Sequence, residues 1–187
     1  TFKIFIYAAA LNEGINPQDT FIDEPKCWYG YCPNNFGGKY VGEITLVEAL
    51  KVSSNVIAVE LLEELGFQKV ISIANRFGIG KERALGSYYP LAIGALEETV
   101  LNMTSAYAGI INKGVFNKPI PFVEIRGVDN KVIWSKDINN KESLQAIKED
   151  TADSLIIMLQ EVVKNGSGFA ASLPNRPVAG KTGTSEG

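Results

Sequence analysis

Lys181-Thr182-Gly183-Thr184-Ser185, near the end of a 187-residue chain, is the stretch that decides the fold. We interpret it as a strand that binds an anion, with Lys181 supplying positive charge and Thr182 and Thr184 donating hydrogen bonds. A glycine such as Gly183 weakens a strand and usually marks the close approach of a backbone or a ligand. A backbone N–H near Thr184 could also stabilise a developing oxyanion. An ordinary edge strand is the alternative, but it gives no reason for the glycine.

A second lysine lies at the other end of the chain, in Thr1-Phe2-Lys3. This tripeptide matches the end of a Ser-x-x-Lys pattern whose serine would stand immediately before Thr1. On a helix, residues three apart lie on one face, so Lys3 would contact that serine. Burial beside another cation lowers a lysine pKa from about 10.4 toward neutrality, and a neutral amine can accept the serine proton. The alternative is a lysine that extends from the helix end into solvent.

Ser53-Ser54-Asn55 lies between two predicted helices and offers polar groups to the same site. We expect the Ser53 hydroxyl to bridge Lys3 and Lys181 and to pass a proton to a leaving amine. The Asn55 amide would hold the Lys3 ammonium and a backbone carbonyl of the substrate. A serine or asparagine at this position can also simply cap the second helix, which is the alternative explanation of the motif.

The composition excludes several kinds of function. The chain has no histidine, so Ser-His-Asp catalysis, Cys-His catalysis and His-ligated zinc are impossible within it. A formal net charge of −3, with scattered lysines and arginines, argues against nucleic-acid binding. We expect no metal, no cofactor and no nucleic-acid partner. The apolar run at residues 4–11 is far shorter than the roughly 20 residues of a membrane span.

Cys27 and Cys32 are the two cysteines of the chain and lie in an aromatic loop. Two thiolates alone do not make a structural zinc site. In an exported protein they would form a local disulfide, whereas in a cytosolic protein both would stay reduced. The sequence leaves these two states open.

Apolar periodicity, capping residues and glycines predict the secondary structure. The predicted helices are residues 1–13, 45–51, 56–65, 68–77, 99–113 and 150–165. The first is apolar nearly all round and should be a buried central helix. We predict a β-hairpin from 122–128 and 131–134, a strand over 178–185, and a long irregular loop over 15–44.

The three motifs together resemble the active-site signature of penicillin-binding proteins and related β-lactamases. The resemblance to class A penicillin-binding proteins covers nearly the whole chain. It is carried by Thr1-Phe2-Lys3 with Tyr7-Ala8-Ala9-Ala10-Leu11, by Gly42-Glu43-Ile44-Thr45-Leu46, by Ser105-Ala106-Tyr107-Ala108 with Asn112-Lys113-Gly114, and by residues 173–184. One departure is Gly94-Ala95-Leu96-Glu97, which stands where Gly-Thr-Ser-Glu is expected.

The resemblance implies an α/β fold of the serine β-lactamase and transpeptidase type. Such a fold has an antiparallel sheet packed with helices, beside a mostly helical lobe. Residues 1–187 would be a partial penicillin-binding transpeptidase domain that starts one residue after the nucleophilic serine. Most sheet strands would then be absent from this chain, and the chain by itself would be inactive.

The resemblance also implies a peptidoglycan D,D-transpeptidase or carboxypeptidase that works through an acyl-serine intermediate. Its substrates would be stem peptides ending in D-Ala-D-Ala, which β-lactams mimic. The implied catalytic residues are Lys3, Ser53, Asn55 and Lys181, and the implied substrate-binding residues are Thr182, Gly183 and Thr184. We expect an upstream glycosyltransferase domain in the same protein. The location would be the periplasmic, extracytoplasmic face of the bacterial inner membrane, with anchoring by an N-terminal segment.

Two alternatives share this fold. Glu98-Thr99-Val100-Leu101-Asn102 matches the Glu-x-x-Leu-Asn element in which a class A β-lactamase glutamate activates water, although Thr99 can equally cap a helix there. The second alternative is a β-lactam-sensing receptor domain, which would be acylated without turning over peptide. Likeness of fold alone does not separate these functions.

Overall fold

The computed structural model of the chain describes residues 2–81, 84–136 and 143–183. The helices are α1 (Lys3–Asn12), α2 (Leu46–Val52), α3 (Asn55–Leu65), α4 (Phe67–Arg76), α5 (Val100–Ile111) and α6 (Glu149–Asn165). The strands are β1 (Thr20–Asp23), β2 (Gly42–Thr45), β3 (Val115–Asn117), β4 (Glu124–Arg126), β5 (Val132–Ser135) and β6 (Ser143–Gln145). They form three antiparallel pairs, β1–β2, β3–β6 and β4–β5. The predicted α/β class is confirmed, and none of the described helices is long and apolar enough to cross a membrane.

Helix α1 is the buried centre of the structure, as its sequence predicts. Its residues from Lys3 to Ala10 are all buried, because alanines and large apolar side chains alternate around the whole circumference. It packs against α3, α4 and α6. The helix ends before Gly14, whose φ of +99° turns the chain away. A lysine in its first turn is therefore held inside the protein.

The predicted irregular loop over residues 15–44 is wrong in part. It contains strand β1 and most of strand β2, which pair so that Asp23 lies opposite Gly42. Asn16-Pro17 precede β1, while the other Pro, Asn and Gly signals fall between the two strands. The backbone there is irregular and includes a short 3₁₀ turn at Phe36–Gly38. Each strand has only four residues, Thr-Phe-Ile-Asp in β1 and Gly-Glu-Ile-Thr in β2, and neither shows the clear apolar and polar alternation that predicts a strand.

The turn between α2 and α3 has unusual backbone geometry. Thr45 and Glu48 form the predicted capping box at the start of α2. After α2, Ser53 adopts the left-handed conformation with φ +63° and ψ +40°. Ser54 then caps α3, its side chain accepting a hydrogen bond from the Ile57 N–H at 3.1 Å. The capping alternative thus applies to Ser54, while Ser53 and Asn55 point elsewhere.

The chain after α6 returns to the end of α2. The Ser167 N–H donates to the Lys51 carbonyl at 3.1 Å. The strand predicted over 178–185 is wrong for the described residues 178–183, which pair with no described strand. The Gly180 N–H instead donates to the Leu159 carbonyl on α6, at 3.2 Å. A strand needs a hydrogen-bonded neighbour, which a single-sequence pattern does not reveal.

Two further sequence predictions concern the periphery of the fold. The hairpin at β4 and β5 is confirmed, although β4 is shorter than the predicted 122–128 and β5 begins one residue later than the predicted 131–134. Cys27 and Cys32 are bonded as a disulfide, so the oxidised alternative holds in this structure. The bond closes a loop in which Trp28 and Tyr31 exchange backbone hydrogen bonds, each at 2.8 Å.

Gly166, where α6 ends, should be sensitive to substitution. A Cβ at Gly166 would lie 2.5 Å from the Lys51 Cγ and 2.6 Å from its carbonyl oxygen. Gly166→Ala should therefore destabilise the protein by about 1–3 kcal/mol through overpacking, measured by thermal unfolding. Gly180→Ala is the control, because its Cβ would meet only Val163, at 3.6 Å. Equal melting temperatures for the two variants would contradict the packing described here.

Candidate active site

The Lys3 amine is the centre of the candidate site. Lys3 is only 5% exposed, and its Nζ lies under the turn between α2 and α3. The amine donates to the Ser53 carbonyl at 2.7 Å, to the Ser53 hydroxyl at 3.1 Å and to the Asn55 side-chain oxygen at 2.6 Å. The solvent-exposed alternative for this lysine is therefore wrong, and Lys3 has three acceptors around a buried nitrogen.

Burial makes the charged form of Lys3 unfavourable. Desolvation, together with the nearby positive charge of Lys181, lowers the pKa of Lys3 from 10.5 to about 7, although the negative charge of Asp23 acts in the opposite direction. At pH 7 about half of the molecules would then carry a neutral amine, against roughly one in a few thousand for an ordinary lysine. A neutral amine in reach of a hydroxyl can accept its proton.

Lys181 approaches the same hydroxyl from the segment that follows α6. Its Nζ donates to the Ser53 hydroxyl at 2.8 Å, and to the carbonyl and hydroxyl oxygens of Thr182, each at 3.1 Å. Partial burial lowers its pKa from 10.5 to about 8. The Ser53 oxygen thus accepts hydrogen bonds from both amines. Lys181 and Ser53 are 128 residues apart in the sequence, and Lys3 and Ser53 are 50 apart, so spacing along the chain does not reveal either contact.

The side-chain amide of Asn55 is held by hydrogen bonds at both its oxygen and its nitrogen. Its side-chain oxygen accepts from Lys3, and its Nδ2 donates to the Asn34 carbonyl at 2.6 Å. An amide nitrogen carries two hydrogens, so a second donor remains after this bond. Since Asn55 is the first residue of α3, its position depends on how that helix begins.

The residues predicted to bind substrate lie beside Lys181. Thr182 and Gly183 are exposed, and the Thr182 hydroxyl is 3.0 Å from the Ser167 hydroxyl. Thr184 lies outside the described residues. The arrangement therefore presents hydroxyl groups and an ammonium to solvent, next to the turn that carries Ser53. This combination suits an anion such as a carboxylate.

Sequence reasoning missed the polar groups that support this site. Asp23 and Ser54 are each only 1% exposed, and Asn35 is 8% exposed. Asp23 and Asn35 lie beneath the Ser53–Asn55 turn, where the Ser54 hydroxyl contacts Asp23, and Ser167 lies beside Thr182. The one available signal is the clustering of turn residues at 23–25 and 33–35, which predicts only a loop. Nothing in the local pattern indicates that this aspartate is buried.

Glu98 is the glutamate that would activate water in the β-lactamase alternative. Its carboxylate is hydrogen-bonded to neighbouring groups of the protein. Its two carboxylate oxygens accept from the N–H groups of Gly80 and Thr99, each at 2.9 Å, and from the Asn102 side chain at 2.7 Å. Burial acts to raise the pKa of Glu98, but these hydrogen bonds outweigh it and hold the pKa below its ordinary value. Thr99 caps α5, as the simpler explanation of the motif predicts.

In a comparison with protein families, the sequence model of the penicillin-binding protein transpeptidase domain matches residues 1–187. Penicillin-binding protein 1A of Rickettsia conorii is 32% identical over 210 aligned residues, covering 98% of this chain and 26% of the relative. The Aquifex aeolicus protein of the same name is 33% identical over 190 residues, covering 98% of this chain and 25% of the relative. The chain therefore spans about a quarter of the length of these curated relatives.

A solved structure resembles the whole chain. The D,D-transpeptidase domain of a peptidoglycan glycosyltransferase from Eggerthella lenta is similar with a TM-score of 0.83 at 28% sequence identity. The similarity covers 100% of this chain and 53% of that one.

The electrostatic coupling of the two lysines can be measured. Lys181→Met should raise the pKa of Lys3 above about 7, because a neighbouring positive charge is lost while burial remains. The pKa can be followed by NMR titration of the Lys3 Nζ in protein labelled with ¹⁵N-lysine. Lys118→Met, which removes an exposed charge, is the control. A Lys3 pKa that stays unchanged or falls in Lys181→Met would contradict the coupling.

Proposed function

The chain belongs to the penicillin-binding protein transpeptidase family, and from this premise we propose that it carries the catalytic core of a D,D-transpeptidase that cross-links peptidoglycan stem peptides. The observation that supports this best is the buried Lys3 amine. Its lowered pKa and its contact with the Ser53 hydroxyl, which Lys181 also binds, suit proton transfer to and from a serine nucleophile.

The nucleophile in this proposal is a serine immediately before Thr1. Phe2, which caps α1, already has right-handed helical backbone angles, with φ −60° and ψ −24°. If the helical path continues, a residue three positions before Lys3 lies on the same face as its amine. Neutral Lys3 would take the serine proton as the serine oxygen attacks the carbonyl carbon of the terminal D-Ala-D-Ala bond.

The acyl transfer then proceeds in two steps, formation of the acyl-serine and its attack by an acceptor amine. As the carbon–nitrogen bond breaks, the departing D-Ala amine receives a proton through the Ser53 hydroxyl, which Lys3 and Lys181 contact on either side. The acyl-serine ester remains. An amine of a second stem peptide attacks this ester and loses a proton to the same relay, while the serine oxygen regains its proton. Lys3 ends each cycle in its starting protonation state.

Substrate binding is assigned to the exposed end of the site. We assign the terminal carboxylate of the stem peptide to Lys181, Thr182 and Thr184, because a hydroxyl-rich segment beside an ammonium suits an anion. The second donor of the Asn55 amide would hold a backbone carbonyl of the peptide. Gly183 would let the substrate backbone approach closely, and an N–H near Thr184 would serve the oxyanion.

The proposal extends to the rest of the protein. We place this chain downstream of a glycosyltransferase domain, on the extracytoplasmic face of the bacterial inner membrane, with anchoring by an N-terminal segment. β-Lactams would enter the site as mimics of D-Ala-D-Ala and acylate the same serine. The β-lactamase alternative has less support, because both carboxylate oxygens of Glu98 accept hydrogen bonds from Gly80, Thr99 and Asn102.

The nucleophile assignment is tested by intact-mass spectrometry after treatment with a fluorescent penicillin. A protein that carries the serine directly before Thr1 should gain one adduct per molecule, and the adduct should persist, unlike that of a β-lactamase. Changing that serine to alanine should abolish the adduct. An adduct on residues 1–187 alone would show that the nucleophile has been misplaced. Turnover of a stem peptide onto an acceptor amine would separate a transpeptidase from a sensing receptor.

A further inference from the structure

A buried carboxylate lies beneath the candidate site. Asp23, at the end of β1, accepts hydrogen bonds on its two oxygens from the Asn35 side chain at 2.8 and 3.0 Å. It also accepts from the Ser54 hydroxyl at 2.7 Å and from the Val41 N–H at 3.1 Å. Within the described residues Asp23 forms no salt bridge, so neutral donors alone hold its charge. Burying a carboxylate without a cation costs several kcal/mol of folding free energy. Stability alone therefore does not explain why an aspartate is buried here.

The partners of Asp23 continue to the turn that carries the candidate catalytic groups. The Asn35 side-chain oxygen accepts from the Asn55 N–H at 2.7 Å, and the Ser54 oxygen accepts from the Ile57 N–H at 3.1 Å. Asp23 thus holds the first turn of α3 by two routes. One route passes through Asn35 to the backbone of Asn55, and the other through the residue that caps the helix.

The turn needs such support because its backbone is strained. Ser53 has a φ of +63°, a left-handed conformation that costs a residue other than glycine roughly 1–2 kcal/mol. Strain of this kind persists only where the surroundings fix it. The same conformation directs the Ser53 carbonyl and hydroxyl at the Lys3 amine. A relaxed turn would move two of the three acceptors of that amine.

We propose that Asp23 is a positioning residue for the acylation reaction proposed above, on which this inference rests. Through Asn35 and Ser54 it fixes the left-handed turn that presents Ser53 and Asn55 to Lys3. Asp23 does not contact the reacting atoms in this scheme. It acts through the turn and through its charge.

The charge of Asp23 gives the proposal a signature that a purely structural role lacks. Two charges act on the Lys3 amine among the described residues, Lys181 from the segment after α6 and Asp23 from β1. No charged side chain of α3, α4 or α6 shifts the pKa of Lys3 as much as Lys181 or Asp23 does. Tyr7, one turn along α1, stays a neutral phenol because burial and Asp23 raise its pKa. Asp23 raises the pKa of Lys3, so removal of its charge should lower that pKa and leave the amine neutral at a lower pH.

The test compares Asp23→Asn with the unmodified protein, both carrying the serine before Thr1. We expect the rate constant for acylation by penicillin, per folded molecule, to fall at least about tenfold at its pH optimum. The acidic limb of its pH profile should move to lower pH. Glu24→Gln, which removes the exposed carboxylate of the next residue, is the matched control and should change neither. An unchanged rate or an unmoved limb in Asp23→Asn overturns the proposal.

Ser54→Ala separates geometry from charge and replaces Asp23→Asn if that variant does not fold. It removes one hydrogen bond of the network but keeps the carboxylate, so acylation should slow several-fold while the acidic limb stays in place. Folded Ser54→Ala with the acylation rate of the unmodified protein overturns the proposal. Absence of acylation in the unmodified protein would instead show that the proposed function is wrong.

Discussion

The removal of one lysine amine from water is the constraint on which the rest of the structure depends. Lys3 is placed in the first turn of a helix that is buried on every side, so its amine cannot reach bulk solvent. Desolvation favours the neutral form, and three oxygens from the 53–55 turn replace the lost water. The central position of α1 among α3, α4 and α6 is therefore a chemical requirement as well as a packing one.

The charges around this amine oppose one another. Lys181 disfavours the ammonium form of Lys3, whereas the buried Asp23 favours it. The two lysines share the Ser53 hydroxyl, which places the charge of Lys181 close enough to lower the pKa of Lys3. With burial as the largest effect, these opposing charges leave the pKa of Lys3 at about 7, so the amine is close to half-protonated at neutral pH. That state suits a group that must accept a proton and then return it. The strained turn supplies two of the three acceptors of this amine, and Asp23 supplies the charge that opposes Lys181.

Local signals predicted local structure well. The capping box at Thr45, the buried character of α1 and the β4–β5 hairpin each follow from residues close together in the sequence. The errors involve distant partners: β1 and β2 pair across about twenty residues, and the segment at 178–183 contacts α6 and pairs with no strand in the described part of the chain. The same applies within the site. Motifs predicted that Lys3, Ser53, Asn55 and Lys181 share one site, and the structure brings them together. The burial of Asp23 depends on Asn35 and Ser54, which no pattern links to it.

The pH dependence of acylation tests the central claim most directly, in a protein that carries the serine before Thr1. If the buried Lys3 amine is the base, the rate constant for acylation by penicillin should rise with pH and level off above a pKa of about 7, as the amine loses its proton. A rate constant that keeps rising toward pH 10, where an ordinary lysine titrates, would contradict the account. So would a rate constant that does not change between pH 5 and 9, a range of about two units on either side of that pKa.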